Sequence, residues 1–210
     1  GFWFNAGLQS SAAVHLTENG RVLLEEGSPD IGGSRTAMAL IAADTLGVPY
    51  ANIRPAVVDT SGIGYNDLTG GSRTTYATGY AVIEACRDLI ARLCARAAAE
   101  WGVEPARVSW RDGAAQHPDV PGSALGIAEL AQLAARAGGP FSGYGSVNLK
   151  ESAPGFAVAI ADVELDPETG ASRVVRFTAV QDAGRAIHPD FVEGQMQGGA
   201  AQAIGWALNE

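Results

Sequence analysis

The stretch Ala13-Val14-His15-Leu16-Thr17-Glu18-Asn19-Gly20-Arg21-Val22-Leu23-Leu24-Glu25-Glu26-Gly27-Ser28-Pro29-Asp30-Ile31-Gly32-Gly33-Ser34-Arg35-Thr36 carries the reading of the fold. Ala13 to Thr17 and Arg21 to Glu26 flank Glu18-Asn19-Gly20. Asn-Gly between apolar-bearing segments predicts a hairpin, because the turn needs a positive φ that Gly adopts freely. A glycine-bearing loop, Gly27 to Thr36, leads into a helix reaching Leu46. Met38, Ile41, Ala42 and Thr45 share one face of it, and Gly47 with Pro49 ends it. Ile53 to Val58 then reads as a short strand. Hairpin, loop and helix in this order predict helices packed on a mainly antiparallel sheet.

Outward from that stretch the pattern recurs. A second glycine-rich loop, Asp59 to Gly71, opens the longest helix, Thr74 to Trp101, with Val82, Cys86, Leu89, Leu93 and Ala97 as its buried stripe. Arg107 to Arg111 reads as a strand and Ala124 to Ala137 as a helix. Gly138 to Pro154 reads as a long glycine-containing connection. Phe156, Val158 and Ile160 alternate with alanines, Asp166 to Gly170 turn, Ser172 to Gln181 return, and a last helix begins near Val192. The expected fold is a two-layer α+β architecture with a hairpin–loop–helix unit near both ends. Its expected division is 1–120 and 121–210.

Composition narrows the function. The 210 residues hold 14 Lys+Arg against 23 Asp+Glu, a net charge of −9, which argues against a nucleic-acid or anionic-membrane surface. No apolar run approaches the roughly 20 residues that span a bilayer. Glycine is the outlier, 27 of 210, nearly twice the usual share of about 7%. It implies tight turns or backbone pressed against something. Cys86 and Cys94, roughly 12 Å apart along one helix, are too far apart to bridge. They read as core residues of a protein in a reducing, cytoplasmic compartment. His15, His117 and His188 lack metal-ligand spacing and read as structural. Asp162 and Glu164 share a strand face and read as solvated.

The pentapeptide Gly-Gly-Ser-Arg-Thr occurs at Gly32 to Thr36 and again at Gly70 to Thr74. Both copies lie where a loop becomes a helix. There the first N–H groups lack partners and the helix dipole is positive. Glycines admit a ligand to the backbone, and Ser or Thr adds a hydroxyl. This is the chemistry of an anion or phosphate cradle. With net charge −9, local N–H groups and Arg35 or Arg73 would have to hold the anion. The plainer alternative is N-capping behind flexible turns. A third glycine cluster, Gly194 to Gly199, favours the ligand. Neither copy completes a Gly-x-Ser-x-Gly elbow, and Gly62-Ile63-Gly64 lacks the third glycine of a dinucleotide fingerprint.

Several motifs together resemble the molybdenum hydroxylases, the xanthine dehydrogenase, aldehyde oxidase and carbon monoxide dehydrogenase large subunits. They are Asp30 to Thr36, Ala43-Asp44-Thr45-Leu46-Gly47-Val48-Pro49, Asp59-Thr60, Gly71-Ser72-Arg73-Thr74 with Gly79-Tyr80-Ala81-Val82, Asp182-Ala183-Gly184, His188-Pro189, Gly194-Gln195, Gly198-Gly199 and Glu210. The resemblance implies a molybdopterin-binding part of such a subunit. Contacts carried over fall on Gly32 and Gly33, on Gly71, Ser72 and Thr74, and on Gln195. It also implies a molybdenum–molybdopterin cofactor in the cytosine dinucleotide form, and partners made up of the rest of the subunit, an iron–sulfur subunit with [2Fe-2S] centres and an FAD subunit. The implied reaction is oxidative hydroxylation of an aldehyde, N-heterocycle or similar substrate, with water as oxygen source.

Two features depart from the family pattern. Its first loop usually reads Gly-Gln-Gly, whereas Gly32-Gly33 stand without the Gln; this marks a divergent branch or leaves the contact to Ser34. The family's catalytic Glu lies downstream of the last helix, so Glu210 is not assigned to that role and no catalytic residue is assigned at all. The isolated chain is accordingly expected to be inactive. A non-catalytic module for a pterin or nucleotide phosphate is the alternative reading, and a scaffold whose glycines serve only turns is a third.

Overall fold

A computed structural model describes residues 1–117, 119–120, 122–136 and 138–209. Glu210, one of the residues behind the resemblance, therefore lies outside it, as does Ala137, the expected end of the third helix. The chain divides into two compact units: Ala6–Ser152, and Gly1–Asn5 together with Ala153–Glu210. A division at 120/121 would cut the first unit, because a strand beyond that point returns to pair with one near the N-terminus.

The first unit is built on a four-stranded sheet. Strand β2 (Leu8–Leu16) pairs antiparallel with β3 (Val22–Glu26). The Asn-Gly hairpin forms, but only Gly20 takes a positive φ, of 76°. Its N–H donates to Thr17 O, while Thr17 N–H reaches Arg21 O. This is a three-residue loop closing on a left-handed glycine rather than a two-residue turn. Helix α1 (Ser34–Leu46) follows, and Gly47 at φ 69° ends it by donating to Ala43 and Asp44 carbonyls. The crossover through α1 sets β4 (Ile53–Val57) parallel to β3, the one parallel pair among the described strands of a mainly antiparallel fold.

The long helix α2 (Gly79–Trp101) is preceded by one wide π turn, Thr74–Thr78. The expected stripe of Val82, Cys86, Leu89, Leu93 and Ala97 is buried with no exposed surface. A small sheet of β5 (Ser109–Arg111), β6 (Ala114–Gln116) and β7 (Ala124–Gly126) leads into α3 (Ile127–Arg136). The expected strand from Arg107 thus starts at Ser109, after a short 3₁₀ turn at Pro105–Arg107. The helix expected from Ala124 starts three residues later.

The largest difference from expectation is β8 (Ser142–Leu149), which pairs with β2 along Leu8 to His15. The sequence reads there as a connection because Gly143 and Gly145 break the apolar alternation. Both glycines are buried and face α2. A Cβ on Gly143 would overlap Ala85 O, and one on Gly145 would overlap Ala81 O. Their lack of side chains is what lets the strand lie against the helix.

The second unit pairs β1 (Phe2–Asn5) with β9 (Ala153–Leu165), and β9 with β10 (Ser172–Gln181), all antiparallel. Helix α4 (Pro189–Asn209) completes it. Asp162 and Glu164 form exposed cross-strand ion pairs with Arg176 and Arg173, the solvated face expected. Among the described residues of this unit none is buried.

Candidate functional site

The two Gly-Gly-Ser-Arg-Thr copies share a sequence but not a conformation. In the first, Gly32 (φ 63°) and Gly33 (φ 78°) are left-handed and α1 starts at the third position, Ser34. In the second, Gly71 (φ 65°) and Ser72 (φ 54°) are left-handed, and the helical turn starts two positions later, at Thr74. Ser72 is one of three non-glycine residues of positive φ among the described residues. Such a conformation is strained for a side-chain-bearing residue and is held by its surroundings.

Passing from left-handed to right-handed backbone turns consecutive N–H groups into one concavity, the arrangement that binds anions. Among the described residues the N–H groups of Gly32, Gly33, Gly71, Ser72 and Thr74 have no protein acceptor, nor do the Ser72 and Thr74 hydroxyls. Ser72 is exposed, and Gly33, Gly71 and Thr74 are half-buried. The donor set suits a multiply anionic ligand that takes neutral hydrogen bonds.

Ser34 behaves differently. Its buried hydroxyl accepts from Ile31 N–H at 3.3 Å and donates to Pro29 O at 3.1 Å. A hydroxyl has one proton to give, and here it closes the loop. Arg35 N–H caps onto the Asp30 carboxylate at 3.1 Å, and the two side chains lie 3.7 Å apart.

Arg73 does not face a ligand. It is 1% exposed, and its five N–H donors meet Gly7 O, Asp67 O, Leu68 O, Gln9 O and Ser10 Oγ at 2.6–3.3 Å. Burial lowers its pKa, opposed by the Asp67 carboxylate. Arg73 thus ties the second loop to β2, a role hidden in sequence by its identical context to Arg35.

Gln195 lies in the other unit, exposed on α4. The helix begins at Pro189, with proline at the first helical position. Gln195 therefore stands in its second turn, and Gly194 to Gly199 lie within the helix, as expected. A Cβ on Gly194, Gly198 or Gly199 would meet nothing within 4 Å.

Beneath the first loop sits a residue that is not among those expected from the sequence. Glu26, the last residue of β3, is 1% exposed and accepts Ser28 N–H at 2.6 Å through Oε2, while Oε1 has no partner among the described residues. Burial pushes its carboxyl above the ordinary 4.5; hydrogen bonds from Ser28 and the Arg35 charge oppose this in part. The signal was available in the alternation of β3: Glu26 shares the face of Val22 and Leu24, opposite Leu23 and Glu25. Beside the second loop, a cleft of about 430 Å³ is bounded by Gly62, Ile63, Gly64 and Tyr65 over Ser11 and Tyr144.

The family model of the molybdopterin cofactor-binding domain matches residues 1–210. The chain belongs to that family. It is 30% identical over 209 residues to the nicotine 6-hydroxylase large subunit of Paenarthrobacter nicotinovorans, covering 95% of this chain and 26% of that one. It is 29% identical over 209 residues to the xanthine dehydrogenase/oxidase of Felis catus, covering 94% of this chain and 14% of the other. Among solved structures, quinoline 2-oxidoreductase from Pseudomonas putida 86 superposes at TM-score 0.84 with 27% identity, over 97% of this chain and 29% of that one. CO dehydrogenase from Oligotropha carboxidovorans, at TM-score 0.83 and 24% identity over 94% of this chain and 27% of that one, shares the fold. The molybdopterin-binding chain thus spans under a third of each of these relatives.

Proposed function

We propose that this chain forms the cofactor-holding part of a molybdenum hydroxylase large subunit. The cofactor is a molybdenum–molybdopterin in its cytosine dinucleotide form, and the completed enzyme hydroxylates an aldehyde or N-heterocycle with oxygen from water. The observation that carries the reading is the pair of left-handed to right-handed loop junctions. Among the described residues, their N–H groups at Gly32, Gly33, Gly71, Ser72 and Thr74 have no protein acceptor. Multiple neutral donors at helix starts hold phosphate and pterin oxygens without requiring a basic chain. This fits a molecule of net charge −9.

In this reading Gly32 and Gly33 present backbone, while Ser34 shapes their loop. Ser72 and Thr74 add hydroxyls, and Gln195 contributes a side-chain amide. When bound, the cofactor supplies the redox centre that takes electrons from the substrate. The chain's own residues bind and orient it. The remainder of the subunit, an iron–sulfur subunit carrying [2Fe-2S] and an FAD subunit are the proposed partners. In support, the names of relatives include a large subunit and a subunit of a dehydrogenase complex.

The test is molybdenum and pterin content of the protein purified from its native source, with Gly71→Val beside wild type. Gly71 is left-handed, and a side chain there is strained and blocks approach to the backbone. About one molybdenum and one pterin per wild-type chain, falling at least several-fold in the variant, is the expected result. Pterin at wild-type occupancy in Gly71→Val would remove the cradle assignment. Pterin without molybdenum, iron or flavin would point to a non-catalytic carrier.

A further inference from the structure

Four buried side chains join the two glycine loops through the interior of the first unit. Arg73, from the second loop, donates to Ser10 Oγ at 2.6 Å. Ser10 Oγ lies 3.1 Å from Thr78 Oγ1, and Thr78 Oγ1 lies 3.1 Å from Ser28 Oγ in the first loop. Ser10 and Thr78 have no exposed surface, and Ser28 is 3% exposed. Behind Ser28 stands Glu26 Oε2, which holds its N–H.

A guanidinium only donates, so Ser10 accepts from Arg73, and each hydroxyl, with one proton and two lone pairs, can satisfy its remaining contact along the chain. Water does not reach these groups, so a hydroxyl deleted from the middle leaves its neighbours unpaired. That desolvation penalty exceeds the modest net value of an ordinary hydrogen bond. Thr78 is the joint of this chain of side chains, because its hydroxyl meets both Ser10 and Ser28. It sits in the π turn that opens α2, immediately after the second loop.

We infer that Ser10, Ser28, Thr78 and Arg73 lock the two glycine loops into a single unit, so that the grip of one loop on a ligand depends on the other. The inference deepens the proposed function and rests on it for the ligand, but the coupling between the loops stands on geometry alone. These four are positioning residues. None of them is expected to touch the cofactor through its side chain.

The experiment uses the full-length molybdenum-containing protein with Thr78→Val, which keeps the shape of the side chain and removes the hydroxyl, and Thr78→Ser, which keeps the hydroxyl. Pterin release into buffer is timed, and amide exchange is followed at 27–35 and 70–76. Thr78→Val is expected to release pterin about 5- to 10-fold faster or more, the low end of what leaving buried hydroxyls unpaired predicts, and to speed exchange in both segments. Thr78→Ser should restore both, which a loss of side-chain packing would not do.

Should Thr78→Val fail to fold, Ser28→Ala replaces it, read by exchange at 70–76 in the other loop. Exchange that quickens only at 27–35, or pterin release at the wild-type rate in Thr78→Val, would overturn the coupling. The two readings fail separately. Wild-type protein without pterin refutes the proposed ligand, while exchange at 70–76 still decides the coupling. Pterin held equally by every variant refutes the coupling and leaves the ligand standing.

Discussion

Glu26 shows how much one step along a strand decides for a single residue. Glu25 and Glu26 are adjacent on β3 and therefore face opposite sides of the sheet. Glu25 is half-exposed and lies 3.2 Å from His15, whereas Glu26 is buried with one carboxyl oxygen unpartnered. Because burial raises its pKa in the folded chain, folding favours the protonated form. The stability this provides is full below the unfolded value near 4.5 and is lost as pH rises through the higher folded value. Glu26→Gln keeps an acceptor for Ser28 N–H and removes the titration. In urea melts, the variant should gain stability over wild type as pH rises from 4 to 8. A difference that stays flat with pH would show that Glu26 titrates normally. Cys86 follows the same physics, since burial pushes its thiol up to about 12 and leaves it an inert core residue.

At the scale of elements, glycine carries opposite meanings that composition cannot separate. Gly143 and Gly145 let β8 lie against α2, whereas Gly198 and Gly205 of α4 face open space. Gly145→Ala must push backbone from backbone, and should cost about 3 kcal/mol or more of unfolding free energy. Gly205→Ala should instead be neutral or stabilising by up to about 1 kcal/mol, by helix propensity. Denaturant midpoints of the two variants check the contrast, and equal effects would mean that β8 is not seated on α2. The hairpin, α1 and the α2 stripe were legible because each has a local cause: a turn glycine, a capping glycine, a 3.6-residue apolar period. β8 was not, because the reason for its glycines is a helix more than forty residues earlier.

At the scale of the whole molecule, the two units differ in what they bury. Val14, Leu24, Met38, Val82, Leu89 and Leu130 close a core in the first. In the second, Phe2, Trp3, Phe156, Ile160, Leu165 and Trp206 remain more than half exposed. Apolar burial is the main favourable term in folding, so the second unit should open far more readily in the 210-residue chain. Hydrogen exchange should run on the order of 100-fold faster for α4 than for the middle of α2. Equal protection would mean that the second unit has a core of its own. The sequence by itself determined the α+β class, the order of the principal elements and the family. All of these follow from local periods, turn residues and motif order. Only the tertiary structure decided that two identical pentapeptides take different conformations. It also decided that Arg35 stays near the surface while Arg73 becomes a buried tie, and that a hydroxyl chain links the two loops. Each of these depends on which distant carbonyl or hydroxyl a side chain meets, and no local pattern encodes that.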